Sequence, residues 1–371
     1  MRAGSIRAWA WVHTWSSLVC TLALLLLCVT GLPLIFHDEI DAWSGETALA
    51  GVASARGGRP LDAIVAQARA DYARAAGAQG VPLFVGFSQD SLLITVTFGP
   101  RPDADEAQMR LFSYDRATGR SVGEVARHGI MPLLLKLHTD LLLGLPGMLF
   151  LGVMGLLFLA AIVSGVVLYV PFVRRLAFGT LRFDRSERVR RLDEHNLLGA
   201  LLLGWTLVVG ATGVINAFAD PLTALWRQGE LAQMVAARHG DAALPPARYG
   251  SLDAAMAAAQ RAQGGLAPQF VGFPGGSFSS TRHYAIFFQG DTPLTSHVLT
   301  PVLVDAETAH LSDVRAMPLS MQALMLSKPL HFGDYGGLAL KLVWALLDLA
   351  TIRVLWSGFA LWWGKRKARA A

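Results

Sequence analysis

The stretch AWVHTWSSLVCTLALLLLCVTGLPLIF, residues 10–36, decides the fold. From Trp15 to Phe36 it holds no Asp, Glu, Lys or Arg. It is long enough to cross a bilayer core of ~30 Å, which takes ~20 helical residues. Three more stretches read the same way: Met148 to Val170, Leu197 to Phe218, and Leu338 to Trp363, the last carrying Lys341, Asp348 and Arg353. The whole composition agrees. Of 371 residues 53% are hydrophobic and 16% charged, which excludes a disordered chain and argues against a wholly soluble enzyme. Two cysteines exclude a disulfide scaffold; Cys20 and Cys28 lie ~12 Å apart along one helix, too far to bridge, and read as small apolar fillers.

Basic residues set the orientation. Arg2 and Arg7 precede the first stretch, Lys365, Arg366, Lys367 and Arg369 follow the fourth, and Arg174, Arg175, Arg182, Arg185, Arg188, Arg190 and Arg191 fill the loop between the second and third. All three segments are expected in the cytoplasm and the two long segments outside, in the periplasm of a bacterial inner membrane. No A-x-A site follows the first stretch, so it reads as an anchor rather than a cleaved leader. The net charge of +5 does not indicate nucleic acid, because the arginines sit beside apolar stretches; the partner they suit is the lipid bilayer.

The halves of the chain echo each other. His13 precedes Thr30-Gly31 by 17 residues and His195 precedes Thr212-Gly213 by 17; His138 precedes Ser164-Gly165 by 26 and His331 precedes Ser357-Gly358 by 26. Pro60-Leu61-Asp62-Ala63 answers Ser251-Leu252-Asp253-Ala254, Val85-Gly86-Phe87 answers Val271-Gly272-Phe273, and Asp115-Arg116-Ala117-Thr118 answers Asp305-Ala306-Glu307-Thr308. The expected fold is a four-span α-helical membrane bundle with two outside α+β modules, an internal tandem repeat about a pseudo-two-fold axis along the membrane normal. Residues 1–36 are the first span, 37–137 the first module, 138–173 an outer histidine segment and second span, and 174–194 the basic loop. Residues 195–220 are the third span, 221–330 the second module, and 331–371 the fourth span and cytoplasmic tail. Each module reads as an Ala-rich amphipathic helix on an antiparallel sheet. The glycines Gly31, Gly165, Gly213 and Gly358 read as points of close helix approach.

No nucleotide, flavin or hydrolase motif is present, so the chemistry must lie with the histidines. His128, His239, His283, His297 and His310 fall in the polar modules and read as solvated or capping. His13, His195, His138 and His331 recur at matched places, and the repeat axis sets His13 against His195 and His138 against His331. Ionisable groups in a membrane bundle are costly and mark function. A metal or haem iron between facing imidazoles satisfies them, and two neutral imidazoles supply both axial positions of a six-coordinate haem. Two b-type haems are therefore expected. A bare ion suits the site less well, because no Asp, Glu or Cys cluster completes its shell. His37 has no counterpart in the second half; it reads as a competing outer ligand, a substrate contact or a plain interfacial residue. Arg353 reads as a haem-propionate contact, and Arg353 and Asp348 alternatively as members of structural ion pairs with a neighbouring helix. Lys341 is expected to snorkel toward the outer surface, and Trp205, Trp344 and Trp356 to pack at intermediate depth.

Trp11-x-His13-x-Trp15, Thr30-Gly31, the run Leu137-His138-Thr139-Asp140-Leu141-Leu142-Leu143-Gly144, and Ser164-Gly165 resemble the PepSY-associated transmembrane (iron-regulated membrane protein) family, over nearly the whole chain. The resemblance implies PepSY-like outside modules and likens the chain to inner-membrane di-haem reductases of ferric siderophores. It implies a haem-dependent oxidoreductase that moves electrons from a membrane quinol or a cytoplasmic reduced flavin to a periplasmic ferric siderophore, releasing Fe(II) for iron uptake. A haem-free transporter and a partner-binding regulator are the alternative readings. The second half departs from the pattern after its outer histidine, reading Phe332-Gly333-Asp334-Tyr335-Gly336, which bears on the geometry there.

Overall fold

The computed structural model describes residues 3–44, 58–88, 92–125, 129–174, 176–236, 242–293 and 295–370. His128, His239, Arg2 and Arg175 lie outside the described residues. In chain order the elements are α1 (Ala3–Leu34), α2 (His37–Ser44), α3 (Leu61–Ala76), β1 (Val81–Phe87), β2 (Leu93–Gly99), β3 (Arg110–Asp115), β4 (Ser121–Glu124), α4 (Ile130–Asp140), α5 (Leu145–Val173), α6 (Glu187–Leu201), α7 (Leu203–Ala217), α8 (Ala219–Trp226), the single turn α9 (Ala232–Met234), α10 (Leu252–Ala262), β5 (Pro268–Gly272), β6 (His283–Gln289), β7 (Leu299–Asp305), β8 (Leu311–Val314), α11 (Leu319–Phe332) and α12 (Gly337–Ala370). They form two units. One holds α1, α4 to α7, the end of α11 from Ser327, and α12; the other holds α3, α10 and the strands.

In the helical unit, α1 and α5 are long and apolar enough to cross a membrane, and α6 with α7, bent by 66° at Leu202, makes a third span if the bent pair is one. The sequence predicts four; α12, with three charged residues along it, is not among the helices that meet this measure. Large apolar side chains such as Leu22, Val29, Val153 and Leu346 are exposed, as a lipid-facing surface requires. Polar side chains in α1 are satisfied within it: Ser16 donates to the Val12 carbonyl at 2.8 Å and Thr21 to that of Ser17 at 2.6 Å. Lys341 does not snorkel; it is buried, on the face of α12 that also buries Ala345, Asp348 and Thr351. The loop before α6 is clamped by Arg182, whose backbone N–H and guanidinium both donate to the buried Asp193 carboxylate, at 3.0 and 2.7 Å.

The other unit is one sheet of eight strands in the order β4-β3-β2-β1-β5-β6-β7-β8, every pairing antiparallel. The two modules expected from the sequence are thus joined through β1 and β5, where Val85 faces Val271 and Phe84 faces Gly272. The strands carry the matched Val-Gly-Phe sequences, and their equivalent valines meet at the centre of the joint. Helices α3 and α10 share one core with the sheet, built on Ile64, Ala68, Val85, Phe98, Met256, Val271 and Ile286. Their N-termini cap each other: Asp62 accepts the Leu252 N–H at 2.7 Å and Asp253 accepts the Leu61 N–H at 2.8 Å. Each carboxylate serves the unpaired donors at the other helix's start. The matched Asp-x-x-Thr segments close the β3–β4 and β7–β8 turns, where Asp115 and Asp305 each accept from the N–H and hydroxyl of Thr118 and Thr308. His283 is a correction: it is buried in β6, bonded through Nδ1 to Ser280 at 2.6 Å and through Nε2 to Ser312 at 3.1 Å, and is not solvated. Its neighbours at the sheet surface supply the partners that the isolated sequence does not reveal.

Candidate functional site: two facing histidine pairs

Helices α1 and α6 and the ends of α4 and α11 bring the histidines together. His13 (α1) and His195 (α6) have ring centroids 6.3 Å apart with planes at 71°. His138 (α4) and His331 (α11) have centroids 6.3 Å apart with planes at 66°.

Behind each ring stands a hydroxyl and a glycine from another helix. His13 Nδ1 lies 2.9 Å from the Ala161 carbonyl and 3.3 Å from Ser164 Oγ on α5. His195 Nδ1 lies 2.9 Å from Ser357 Oγ on α12. His138 Nδ1 lies 2.9 Å from Thr30 Oγ1 on α1. His331 Nδ1 lies 3.2 Å from Thr212 Oγ1 and 3.1 Å from the Val209 carbonyl on α7.

The direction of these bonds follows from where the hydroxyl protons go. Thr30 donates to Leu26, Ser164 to Ala160, Thr212 to Val208 and Ser357 to Val354, each to a carbonyl of its own helix. Each hydroxyl oxygen therefore accepts, and Nδ1–H donates. All four imidazoles are placed in the tautomer whose Nε2 carries a free lone pair, the form that ligates metal.

The glycine after each hydroxyl makes room for the ring. A Cβ on Gly31 would stand 3.0 Å from His138 Cε1, on Gly165 3.1 Å from His13 Cε1, on Gly213 3.1 Å from His331 Cε1, and on Gly358 3.4 Å from His195 Cε1. This corrects the expectation that these glycines serve helix–helix approach; they abut imidazoles. The Thr-Gly and Ser-Gly pairs thus form the backing of the site. Their sequence signal was the constant spacing, but that spacing ties each pair to a histidine on its own segment, whereas the ring it supports comes from elsewhere.

The ring separation has a chemical meaning. An imidazole nitrogen binds a metal at ~2.0 Å and lies ~1.1 Å from its own ring centre given bond lengths near ~1.35 Å. Two imidazoles on opposite sides of one metal therefore have centroids ~6.2 Å apart, close to the 6.3 Å of both pairs. Among the described residues no third His, Cys, Asp or Glu joins either pair. Each pair offers two neutral ring nitrogens and no further protein ligand, a donor set that suits a haem, whose remaining ligands would come from the porphyrin.

The turn after the second pair is built in two ways. After His138, Leu141 and Leu142 take positive φ (56° and 62°), pinned by Asp140, which accepts the Leu142 N–H at 2.7 Å. Gly147 is obligatory there, since a Cβ would stand 1.7 Å from the Asp140 carbonyl oxygen. After His331, Gly333 supplies the left-handed residue (φ 80°) and packs against Trp344, whose Nε1–H donates to the His331 carbonyl at 3.2 Å. The sequence departure is absorbed without changing the ring separation.

Other candidates fall around these pairs. Arg353 pairs with Glu194 on α6 at 2.7 Å, beside His195, which is the ion-pair alternative of its two readings. His37 opens α2 with Nδ1 on the Leu34 carbonyl at 3.0 Å and belongs to neither ring pair. Trp205 and Trp344 contact edge to face at 6.5 Å, while Trp356 is exposed. Cys28 lies beside the buried Asp348, where α1 packs on α12. No curated protein matches the chain. The model of the PepSY-associated TM region family matches residues 10–365, nearly the whole length, and the chain belongs to that family of membrane proteins.

Proposed function

We propose that the chain is a haem-dependent oxidoreductase of the bacterial inner membrane. It passes electrons from the cytoplasmic side to a ferric siderophore in the periplasm, so that Fe(II) is released for uptake. In this reading α1, α5, the bent pair α6–α7, and α12 are four spans of a tandem repeat whose pseudo-two-fold axis follows the membrane normal. The termini and the arginine-rich loop before α6 face the cytoplasm, and the sheet unit faces the periplasm.

His13 and His195 hold one b-type haem at the cytoplasmic level, and His138 and His331 hold a second at the periplasmic level. The observation that carries this is the shared 6.3 Å ring separation, with all four Nδ1 atoms engaged behind the rings. Bound haem supplies reversible one-electron transfer at each face. The polypeptide supplies the axial nitrogens, and Ser164, Ser357, Thr30 and Thr212 hold their tautomer and aim. A membrane quinol or a reduced cytoplasmic flavin serves as donor. The acceptor is an Fe(III) chelate with hard oxygen donors, which hold Fe(II) less well than Fe(III).

One absorbance experiment tests the reading. The purified chain, oxidised and then reduced with dithionite, should give sharp reduced bands and a pyridine-haemochrome stoichiometry near two. The reduced form should reoxidise on addition of a ferric hydroxamate. Purification without haem absorbance from haem-replete cells would sink the reading and favour a transporter.

A further inference from the structure

Asp348 lies on the inward stripe of α12, 7% exposed, and one of its carboxylate oxygens, Oδ2, has no hydrogen-bond partner among the described residues. Across the packing of α12 on α1 it meets the Cys28 thiol. Around them the packing is apolar: Cys20, Leu24, Met154 and Leu355 form the adjoining core, with Leu27, Leu157 and Phe158 against it. An ionisable group in such a layer is costly and carries a function by default.

Its depth can be read from both helices. Cys28 and Gly31 are three residues apart, so they lie on one face of α1, one turn from each other. Gly31 abuts His138. Asp348, beside Cys28, therefore lies about one helical turn from the level at which Gly31 abuts His138, on the side toward His13. Ser357, which backs His195, lies ~13 Å further along α12 at 1.5 Å per residue.

Other charges near Asp348 are few. Helix α1 brings Cys28 and no charged side chain after Arg7. Helix α6, also packed along α12, brings Glu194, which is taken by Arg353, and His195, which is taken by Ser357. On α12 itself, Lys341 is two turns away on the same stripe, and Arg353 points to the α6 side.

We infer that Asp348 is the charge-compensating group for the His138–His331 pair, taking up one proton at Oδ2 when one electron arrives there. The inference rests on the haem reading of that pair. A haem held by His138 and His331 would carry one net positive charge when oxidised and none when reduced, and the Asp348 carboxylate would balance that charge in the low-dielectric layer. Asp348 then accepts a proton from the aqueous side, becomes a neutral acid, and the layer again holds no net charge. One electron and one proton enter together, and both leave when the acceptor takes the electron.

The test is a spectroelectrochemical titration of the haem-loaded full chain in nanodiscs between pH 6 and pH 8. In the wild type, one of the two midpoint potentials should fall as pH rises, by up to ~59 mV for each tenfold drop in proton concentration. The other should hold steady. Asp348→Asn should abolish that slope and raise the affected midpoint at alkaline pH, while Asp348→Glu keeps the slope. A reduced-minus-oxidised infrared spectrum of the wild type should gain the C=O band of a protonated carboxylic acid, so the test stands even if the Asn variant does not fold. Two bound haems with pH-independent potentials and no carboxyl band would overturn the inference and leave the haem reading intact. A wild type that binds no haem would sink both, and the haemochrome stoichiometry registers that outcome separately.

Discussion

The two histidine pairs are alike at the rings and different behind them. His13 and His195 ride on α1 and α6, and their backing is Ser164 and Ser357. His138 and His331 ride on the short helices α4 and α11, just before tight turns, and their backing is Thr30 and Thr212. Both arrangements deliver the same 6.3 Å separation. The common requirement is therefore an acceptor for Nδ1–H and a glycine beside Cε1. The backbone that carries the ring is free to vary.

The sharpest way to break this comparison is to remove one ring at a time. His13→Ala or His195→Ala should take the haem count from two to one, and His138→Ala or His331→Ala should remove the other haem. Pyridine haemochrome with reduced spectra reads both outcomes. If one substitution emptied both sites, the pairs would not be independent centres; if none changed the count, the ligand assignment would fall.

Next in size is the glycine cradle. Gly31→Val places branched carbon where a single Cβ already stands 3.0 Å from the His138 ring. The ring must leave its position, so this variant should lose the second haem and keep the first. A spectrum with both haems intact would show that the ring has space to retreat.

The hydroxyls should give a graded effect. Thr30→Val keeps shape but removes the acceptor for His138 Nδ1–H, and Ser357→Ala does the same for His195. Loss of such an orienting partner costs ~10–100-fold in metal affinity, or ~1.4–2.8 kcal/mol. Haem dissociation to apomyoglobin measures it. The Ala161 and Val209 carbonyls lie 2.9 and 3.1 Å from His13 and His331 Nδ1, and the Leu27 and Val354 carbonyls stand near His138 and His195, so each hydroxyl variant should weaken its haem without emptying the site. Complete loss at any of the four positions would mean that the carbonyls contribute nothing.

Much of this site was legible in the sequence, and the part that was not has a physical cause. Equal spacings of 17 and 26 residues single out four histidines and four glycines, since a duplicated helix keeps its face at each turn. Which hydroxyl backs which ring was not readable, because that depends on the packing of α4 on α1 and of α11 on α7, contacts that no local periodicity encodes. The same limit applies in the sheet. The matched Val-Gly-Phe strands are visible in the sequence, but their pairing through Val85 and Val271 joins segments far apart in the chain. The cross-capping by Asp62 and Asp253 follows from that pairing and was hidden with it. His283 was misread because its serine partners come from a neighbouring loop and from β8.

A smaller effect belongs to the Arg182–Asp193 clamp, which holds the loop onto α6 two residues before His195. Asp193 is fully buried and Arg182 is about one-third exposed. Asp193→Asn leaves buried donors imperfectly met, at a cost of ~1–3 kcal/mol. The melting temperature of the helical unit should fall, and the His13–His195 haem should become the more easily lost of the two. A drop that affects both haems equally would show that α6 is held by its packing on α12 and not by the clamp.

The smallest expected change separates two glycines that look identical in the sequence. A Cβ on Gly358 would meet the His195 ring at 3.4 Å, ordinary van der Waals contact, whereas one on Gly31 would meet the His138 ring at 3.0 Å. In a close-packed interior a few tenths of an ångström decides whether a ring must move. Gly358→Ala should therefore leave haem content and reduced band positions unchanged. Gly31→Ala should broaden or shift the bands of the second haem, because the His138 ring must give way against its bond to Thr30. Identical spectra for the two alanine variants would mean that the cradles are equally roomy, and the difference between the pairs would then lie only in the helices that carry them.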